Sequence, residues 1–150
     1  MSWRGRRERH KEATMVEDVP PRAAWQALCD EPGAVLCDVR TEPEWAFVGL
    51  PDLGQAGKAP VLIPWQVYPT MQQNPEFLSS LAEAGVGPDQ PLFFLCRSGG
   101  RSRAAAIAAA AAGYSRVFNI ADGFEGPVSR DGRRGTLAGW KAEGLPWRQG

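Results

Sequence analysis

The chain has 150 residues, 43% of them hydrophobic, and its 17 basic and 17 acidic side chains give a formal net charge of zero. This length supports one domain with a core of its own. The neutral balance does not indicate nucleic-acid binding, and the sequence has neither the apolar core of a signal peptide nor a run long enough to span a membrane. We therefore expect a soluble, cytoplasmic protein.

Basic residues are concentrated near the amino terminus, at Arg4, Arg6, Arg7, Arg9 and Lys11. This stretch has no apolar periodicity, so we predict a disordered basic tail over residues 1–14 and a single domain over residues 15–150. Met15 lies just before the first predicted element and is a candidate start of translation.

Strand and helix patterns alternate along the rest of the chain. In order they predict a strand over residues 16–19, a helix over 22–29, a strand over 34–40, a short helix after 41, an edge strand over 60–64, a helix over 74–82, a strand over 91–95, a helix over 103–112, a strand over 116–120 and a closing helix over 137–143. This alternation predicts an α/β domain with a largely parallel central sheet of about five strands and helices on both faces.

Capping residues and apolar spacing support the predicted helices. Thr41 with Glu44 completes a capping box, and Asn74 is placed to cap the helix that follows it. The side chains that we expect in the core include Cys29, Cys37, Phe77, Leu78, Leu81 and Trp140.

Cysteine and histidine are scarce, and this limits the possible chemistry. Three cysteines without a close pair do not predict a disulfide framework, and His10 is the only histidine. A zinc site is therefore not expected, nor is another cofactor. With no histidine in the body of the chain, a nucleophile has to be activated by fixed charges and backbone dipoles.

Cys96 combines the features expected of such a nucleophile. It follows an apolar run typical of a buried strand and precedes an alanine-rich helix, where ligands and anions bind in α/β sheets. Gly99 and Gly100 can adopt positive φ, so the loop can curl its amides around the sulfur. Arg97 and Arg101 add positive charge, and such surroundings stabilise the reactive thiolate. The alternative, an inert buried cysteine, would not need these neighbours.

Other charged residues are predicted at the same edge of the sheet. Asp38 and Arg40 end the strand over 34–40, and we favour a structural ion pair between them over direct contact with a substrate. Residues 122–127 form a turn at the end of a neighbouring strand. A mobile loop follows, and its arginines could attract anions to the pocket: Arg130, Arg133 and Arg134.

Together these motifs resemble those of the rhodanese sulfurtransferases, in particular the single-domain members. The matching pieces are Asp38-Val39-Arg40 with Glu44-Trp45, the loop Cys96-Arg97-Ser98-Gly99-Gly100-Arg101-Ser102, and Asp122-Gly123-Phe124 with Trp140. The resemblance implies a rhodanese-like three-layer fold and a persulfide on Cys96. It assigns persulfide or substrate binding to the loop from Arg97 to Ser102 and supporting roles to Asp38, Arg40 and Glu44.

Loop length separates two chemistries within this resemblance. Four residues lie between Cys96 and Arg101, as in sulfur-handling rhodaneses, whereas related phosphatases and arsenate-processing enzymes have five. The shorter loop favours sulfur over phosphate.

The sequence departs from the family at Gly49-Leu50-Pro51, which lacks the histidine of the common Gly-His-Ile-Pro pattern, and at the insertion over residues 129–135. Both departures border the expected pocket, so they concern substrate choice.

The expected activity is transfer of sulfane sulfur through Cys96. The donor would be a small anion, thiosulfate or a persulfide, and the acceptor a thiol or cyanide. A non-catalytic sulfur carrier or redox sensor is one alternative, and a phosphatase or arsenate reductase is another. We expect no nucleic-acid or membrane partner and favour a monomer.

Overall fold

The computed structural model describes residues 16–149. The predicted basic tail over residues 1–14 and the candidate start at Met15 lie outside the described residues. Within the described part of the chain, no helix is both long enough and apolar enough to cross a membrane.

Nine strands and four α-helices make up the fold between residues 16 and 149. The strands are β1 (Glu17–Val19), β2 (Val35–Asp38), β3 (Leu50–Pro51), β4 (Val61–Leu62), β5 (Gln66–Val67), β6 (Gln72–Gln73), β7 (Leu92–Leu95), β8 (Val117–Ile120) and β9 (Trp147–Arg148). The helices are α1 (Pro21–Asp30), α2 (Glu42–Phe47), α3 (Phe77–Glu83) and α4 (Gly100–Ala111).

A five-stranded parallel sheet in the order β1-β8-β7-β2-β4 is the centre of the structure. This confirms the predicted α/β class, and β4 lies at the sheet edge as expected. Two short antiparallel pairs, β3 with β9 and β5 with β6, lie outside this sheet and were not predicted.

Side chains of β7 alternate between two cores, one on each face of the sheet. Leu92 and Phe94 belong to the core that includes residues of α3 and α4. Phe93 and Leu95 belong to the opposite core, which includes residues of α1 and the segment around Trp140. The alternation places helices on both faces, and it puts Cys96 in the core on the α4 side.

Helix α4 begins at Gly100, three residues earlier than the sequence predicted. Gly99 precedes it with a φ of 114°, a left-handed conformation that glycine adopts without strain, and its carbonyl accepts from Arg103 N at 3.2 Å. Gly100 itself is helical. The earlier start brings the positive end of the helix dipole closer to Cys96.

The predicted closing helix over residues 137–143 is wrong, although Trp140 is fully buried as expected. Gly139 has a φ of 102°, which interrupts a right-handed helix. The amides of Trp140 and Lys141 instead donate to the carbonyls of Gly123 (2.9 Å) and Phe124 (3.1 Å). Packing against the turn over residues 122–126 therefore replaces local helical bonding.

Three smaller expectations also need correction. Asn74 Oδ1 accepts from Glu76 N at 3.0 Å in a turn before α3, so Asn74 does not cap the helix directly. Leu78 is 38% exposed, whereas Phe77 is buried. Cys29 is exposed because the buried stripe of α1 includes Leu28, and the next residue is rotated by about 100° around the helix.

The loop after β7 is tied to the turn after β8 through its backbone. Cys96 O accepts from Phe124 N at 2.8 Å, and Arg97 O accepts from Glu125 N at 2.9 Å and Gly126 N at 3.1 Å. Gly123 has a φ of 60°, and a Cβ there would lie 2.4 Å from Cys96 O. The close approach of the two backbones therefore requires glycine at position 123.

Replacing Gly123 with alanine tests this close approach. We expect Gly123→Ala to lower the free energy of unfolding by more than about 3 kcal/mol, because it combines a left-handed alanine with a backbone clash. Gly132→Ala is the matched control, since Gly132 has a φ of 82° and open space around its Cβ position. The control should lose only about 1 kcal/mol in urea unfolding. Equal losses in the two variants would contradict the clash.

Candidate functional site

Cys96 lies directly after β7, with its thiol at the start of α4. The residue is only 1% exposed. Its Sγ accepts a hydrogen bond from Gly99 N at 3.1 Å, and Ser102 Oγ lies 3.2 Å away. Within residues 96–102, Gly99 provides the backbone amide that donates to the sulfur. A sulfur in this position receives both a direct N–H donor and the positive end of a helix dipole.

A line of polar side chains leads away from the sulfur. Ser102 Oγ lies 2.5 Å from Asn119 Oδ1. Asn119 Nδ2 donates to Asp18 Oδ1 at 3.0 Å, and the same carboxylate oxygen pairs with Arg103 Nη1 at 2.8 Å. Ser102 and Asn119 are buried, whereas Asp18 and Arg103 are exposed. The line therefore connects the buried sulfur to a surface ion pair.

Arg101 is held by a bidentate ion pair with Glu44 of α2. Its Nη1 and Nη2 donate to Glu44 Oε1 and Oε2 at 2.7 and 2.9 Å. The hydrogen bonds and the charge of Glu44 raise the pKa of Arg101 above its ordinary value, which outweighs the opposite effect of burial. Burial alone would raise the pKa of Glu44, but its hydrogen bonds and ion pair with Arg101 outweigh that effect and lower it.

Asp38 and Arg40 form the ion pair that the sequence favoured. Both are fully buried, and Arg40 Nη2 lies 2.6 Å from Asp38 Oδ2. Arg40 Nη2 also donates to Gly49 O at 2.8 Å, and its guanidinium lies 4.3 Å from the centroid of the Phe124 ring. The pair thus connects the end of β2 with two neighbouring segments of the site.

The remaining predicted site residues lie at the surface of the loop. Arg97 and Ser98 are exposed, and Gly100 begins α4. The loop over residues 129–135 is bonded to the turn beside Arg97, because Arg134 Nη1 donates to Gly126 O at 2.8 Å. One of its three arginines is therefore used to hold the turn.

The other two cysteines have different surroundings from Cys96. Cys37 is fully buried in the sheet, and burial, together with the nearby charge of Asp38, raises the pKa of its thiol well above the ordinary value. Cys29 is exposed on α1. A thiol that stays protonated is a poor nucleophile, which leaves Cys37 as a core side chain.

Sequence reasoning missed two residues near the site, Asn119 and Asp18. The available signal was a lone amide within the otherwise apolar run of β8, because a buried amide needs hydrogen-bond partners. Its partners come from β1 and α4, which are distant in sequence. Only the parallel pairing of β1 with β8 brings Asp18 opposite Asn119.

Comparison with known proteins identifies the family. The family model described as the STR4 middle domain matches residues 17–150. A chain from the rice Oryza sativa subsp. indica, named Protein THYLAKOID RHODANESE-LIKE, chloroplastic, is 35% identical over 130 residues, which cover 86% of this chain and 24% of that protein. The chain belongs to the rhodanese-like family.

Two relatives of this rhodanese-like chain match over nearly their full lengths. The uncharacterized protein RP600 of Rickettsia prowazekii is 38% identical, and the match covers 89% of this chain and 98% of the relative. A protein of Allochromatium vinosum named Sulfurtransferase is 28% identical, with 88% of this chain and 94% of that protein covered.

Two solved structures support the fold. Rv0390 from M. tuberculosis is 45% identical and superposes with a TM-score of 0.81, covering 90% of this chain and 98% of that one. The rhodanese-like domain of the Anabaena sp. protein Alr3790 superposes with a TM-score of 0.59 at 18% identity, covering 89% of this chain and 80% of that one. The predicted rhodanese-like fold is therefore confirmed.

Replacing Glu44 with glutamine tests the ion pair that holds the loop of this rhodanese-like domain. At pH 7 we expect Glu44→Gln to lower the free energy of unfolding by about 1 kcal/mol, because half-buried, charge-assisted bonds to Arg101 are lost. The folded-state pKa of Glu44 is lowered, so its stabilising effect is present above the unfolded value of about 4.3 and is lost as the pH falls.

The difference between wild type and Glu44→Gln should therefore shrink in urea unfolding below about pH 4. Glu31→Gln is the control, because Glu31 pairs with Arg116 at 3.4 Å with both side chains about half exposed. It should change stability at pH 7 by less than about 0.5 kcal/mol. A gap for Glu44→Gln that widens in acid would refute the assigned pair.

Proposed function

We propose that this domain transfers sulfane sulfur through a persulfide on Cys96. The donor is a small anion, thiosulfate or a persulfide, and the acceptor is a thiol or cyanide. The observation that carries the proposal is the hydrogen bond from Gly99 N to Sγ at the first turn of α4. It stabilises charge on this sulfur without help from a histidine.

The reaction divides into two displacements. The Cys96 thiolate attacks the outer sulfur of thiosulfate, an S–S bond forms to Sγ, and the bond to the sulfite group breaks with its electron pair. Cyanide or a thiolate then attacks the outer sulfur of the persulfide, and Sγ leaves as a thiolate. Each step exchanges one sulfur bond for another, so no external oxidant or reductant is needed.

A general base is not required for this chemistry. The thiolate is the attacking species and sulfite leaves as a stable anion, so the displacement itself moves no proton. The only histidine, His10, lies outside the described residues. Among residues 16–149 the site is built from a helix start and fixed charges.

The charges around the loop suit a small anionic donor. Arg97 is exposed and has no carboxylate partner within residues 16–149, so its charge is available to attract the donor. Arg101 is already paired with Glu44 and contributes a fixed charge near the sulfur. Because Cys96 is almost fully buried, the donor has to present a narrow terminal sulfur.

Family membership supports the same reaction class. The Allochromatium vinosum relative bears the name Sulfurtransferase, and its match covers 94% of that protein. The four-residue spacing between Cys96 and Arg101 also favours sulfur over a tetrahedral phosphate.

Intact mass measured before and after thiosulfate, and again after cyanide, tests the proposal. We expect the wild type to gain the mass of one sulfur atom with thiosulfate and to lose it with cyanide. Cys96→Ser should gain no sulfur and lose at least about a thousandfold in thiocyanate formation, since the nucleophile is gone. Cys29→Ser is the matched control and should behave as wild type, because Cys29 lies exposed on α1.

The outcomes separate the proposal from its alternatives. Sulfur transfer that persists in Cys96→Ser, or a mass gain mapped to Cys29, would disprove the mechanism. A stable adduct on Cys96 that cyanide and thiols do not remove would identify a carrier instead of an enzyme.

A further inference from the structure

The hydroxyl of Ser102 has more acceptors within reach than it has protons. Its Oγ lies 2.5 Å from Asn119 Oδ1, 3.2 Å from Gly99 O and 3.2 Å from Cys96 Sγ. A serine hydroxyl carries one proton and two lone pairs. It can therefore donate to only one of the three acceptors at a time.

The orientation of the Asn119 amide is fixed by its other neighbour. Asp18 carries a carboxylate, which accepts hydrogen bonds and does not donate, so Asn119 has to turn Nδ2 towards it. The amide oxygen then faces Ser102. Because that oxygen is also only an acceptor, the short contact between the two side chains requires the Ser102 proton.

We propose that Asn119, oriented by Asp18, is a positioning residue that keeps the Ser102 proton directed away from Cys96 Sγ. The lone pairs of the hydroxyl then face the sulfur. A Cys96 thiol can donate into them, whereas a thiolate can recruit the Ser102 proton only by leaving Asn119 Oδ1 without its partner. Asn119 and the thiolate therefore compete for one proton.

This competition affects the reactivity of the sulfur in two opposite ways. A thiolate that receives fewer hydrogen bonds forms at higher pH, so less of it is present below that pH. The same thiolate is a stronger nucleophile, because nucleophilicity falls as stabilisation of the anion rises. Asn119 thus lowers the amount of thiolate and raises the nucleophilicity of the thiolate that does form. This inference takes Cys96 as the nucleophile of the proposed function.

Other charged groups surround the sulfur and have to be separated from this effect. They are Arg97 in the loop, Arg101 and Arg103 on α4, Glu44 on α2, Asp38 at the end of β2, Arg40 after it, Asp18 on β1 and Asp122 in the turn after β8. Asn119 is uncharged, so Asn119→Leu leaves this set unchanged while removing the amide acceptor.

The pH dependence of iodoacetamide alkylation of Cys96 tests the proposal in a Cys29→Ser background, with the modified peptide identified by mass. In Asn119→Leu, the Ser102 proton is free to donate to the thiolate. We expect the alkylation midpoint to fall by about one pH unit, the effect of one hydrogen bond gained by a charged group. The plateau rate at high pH should fall about threefold, since the ionised sulfur is better stabilised.

Repeating the comparison in a Ser102→Ala background distinguishes the hydroxyl route from loosened packing. Without the hydroxyl there is no proton to release, so Asn119→Leu should shift neither the midpoint nor the plateau. A shift of the same size in both backgrounds would overturn the proposal. So would an unchanged or raised midpoint in the protein that retains Ser102.

Asp18→Ala is a second variant in case Asn119→Leu does not fold, because Asp18 is exposed. It frees the Asn119 amide to turn, and it also removes one negative charge. Loss of this charge affects the midpoint equally with Ser102 and in the Ser102→Ala background. The difference between the midpoint shifts that Asp18→Ala causes in the two backgrounds therefore measures the contribution of the hydroxyl. We expect the larger fall in midpoint with Ser102 present; equal falls would refute the positioning role.

These experiments are independent of sulfur transfer. Alkylation needs no sulfur donor, so its outcome does not depend on the proposed function. If the expected shifts are seen but the wild type forms no persulfide, the proposed function is overturned and the role of Asn119 stands. Normal persulfide formation without the shifts would overturn the role of Asn119 and leave the proposed function intact.

Discussion

The site depends on a backbone contact between two loops at the carboxyl edge of the sheet. The carbonyls of Cys96 and Arg97 are both taken up by amides of the turn after β8, and Gly123 leaves no room for a side chain between the two loops. With these carbonyls fixed, the chain can enter α4 through the left-handed Gly99, whose amide donates to Sγ. The position of the sulfur therefore follows from the geometry of β7 and β8 and of the two loops that come directly after them.

Several charged side chains near the sulfur are engaged in ion pairs that hold the structure together. Asp38 and Arg40 are fully buried and join the end of β2 to Gly49 and Phe124, so their charges are used in assembly. Arg101 is only partly available because Glu44 holds both of its terminal nitrogens. The charges of these two pairs are thus already engaged, which makes the neutral Ser102 hydroxyl beside the sulfur an effective point of control.

The sequence predicted most of the fold and the centre of the site, because both are recorded in local patterns. The apolar run before Cys96 and the glycines and alanines after it were sufficient to place this cysteine between a buried strand and the start of a helix. The parts that failed depend on contacts distant in sequence. Residues 137–143 have a helical apolar spacing, but the amides of Trp140 and Lys141 bond to the turn after β8. Asn119 gained its role only through the pairing of β8 with β1.

The pairing of β9 with β3 has a consequence for biosynthesis. Trp147 of β9 meets Phe124 edge-on at 6.1 Å, and the backbone of Arg148 closes over Gly49, whose carbonyl binds Arg40. A nascent chain that has emerged only to residue 135 contains every strand of the parallel sheet and the whole cysteine loop, yet lacks this closing strand. The cysteine loop is therefore synthesised before the strand that packs beside Gly49 and Phe124, so the contacts of this strand around Arg40 form only after residue 148 has been added.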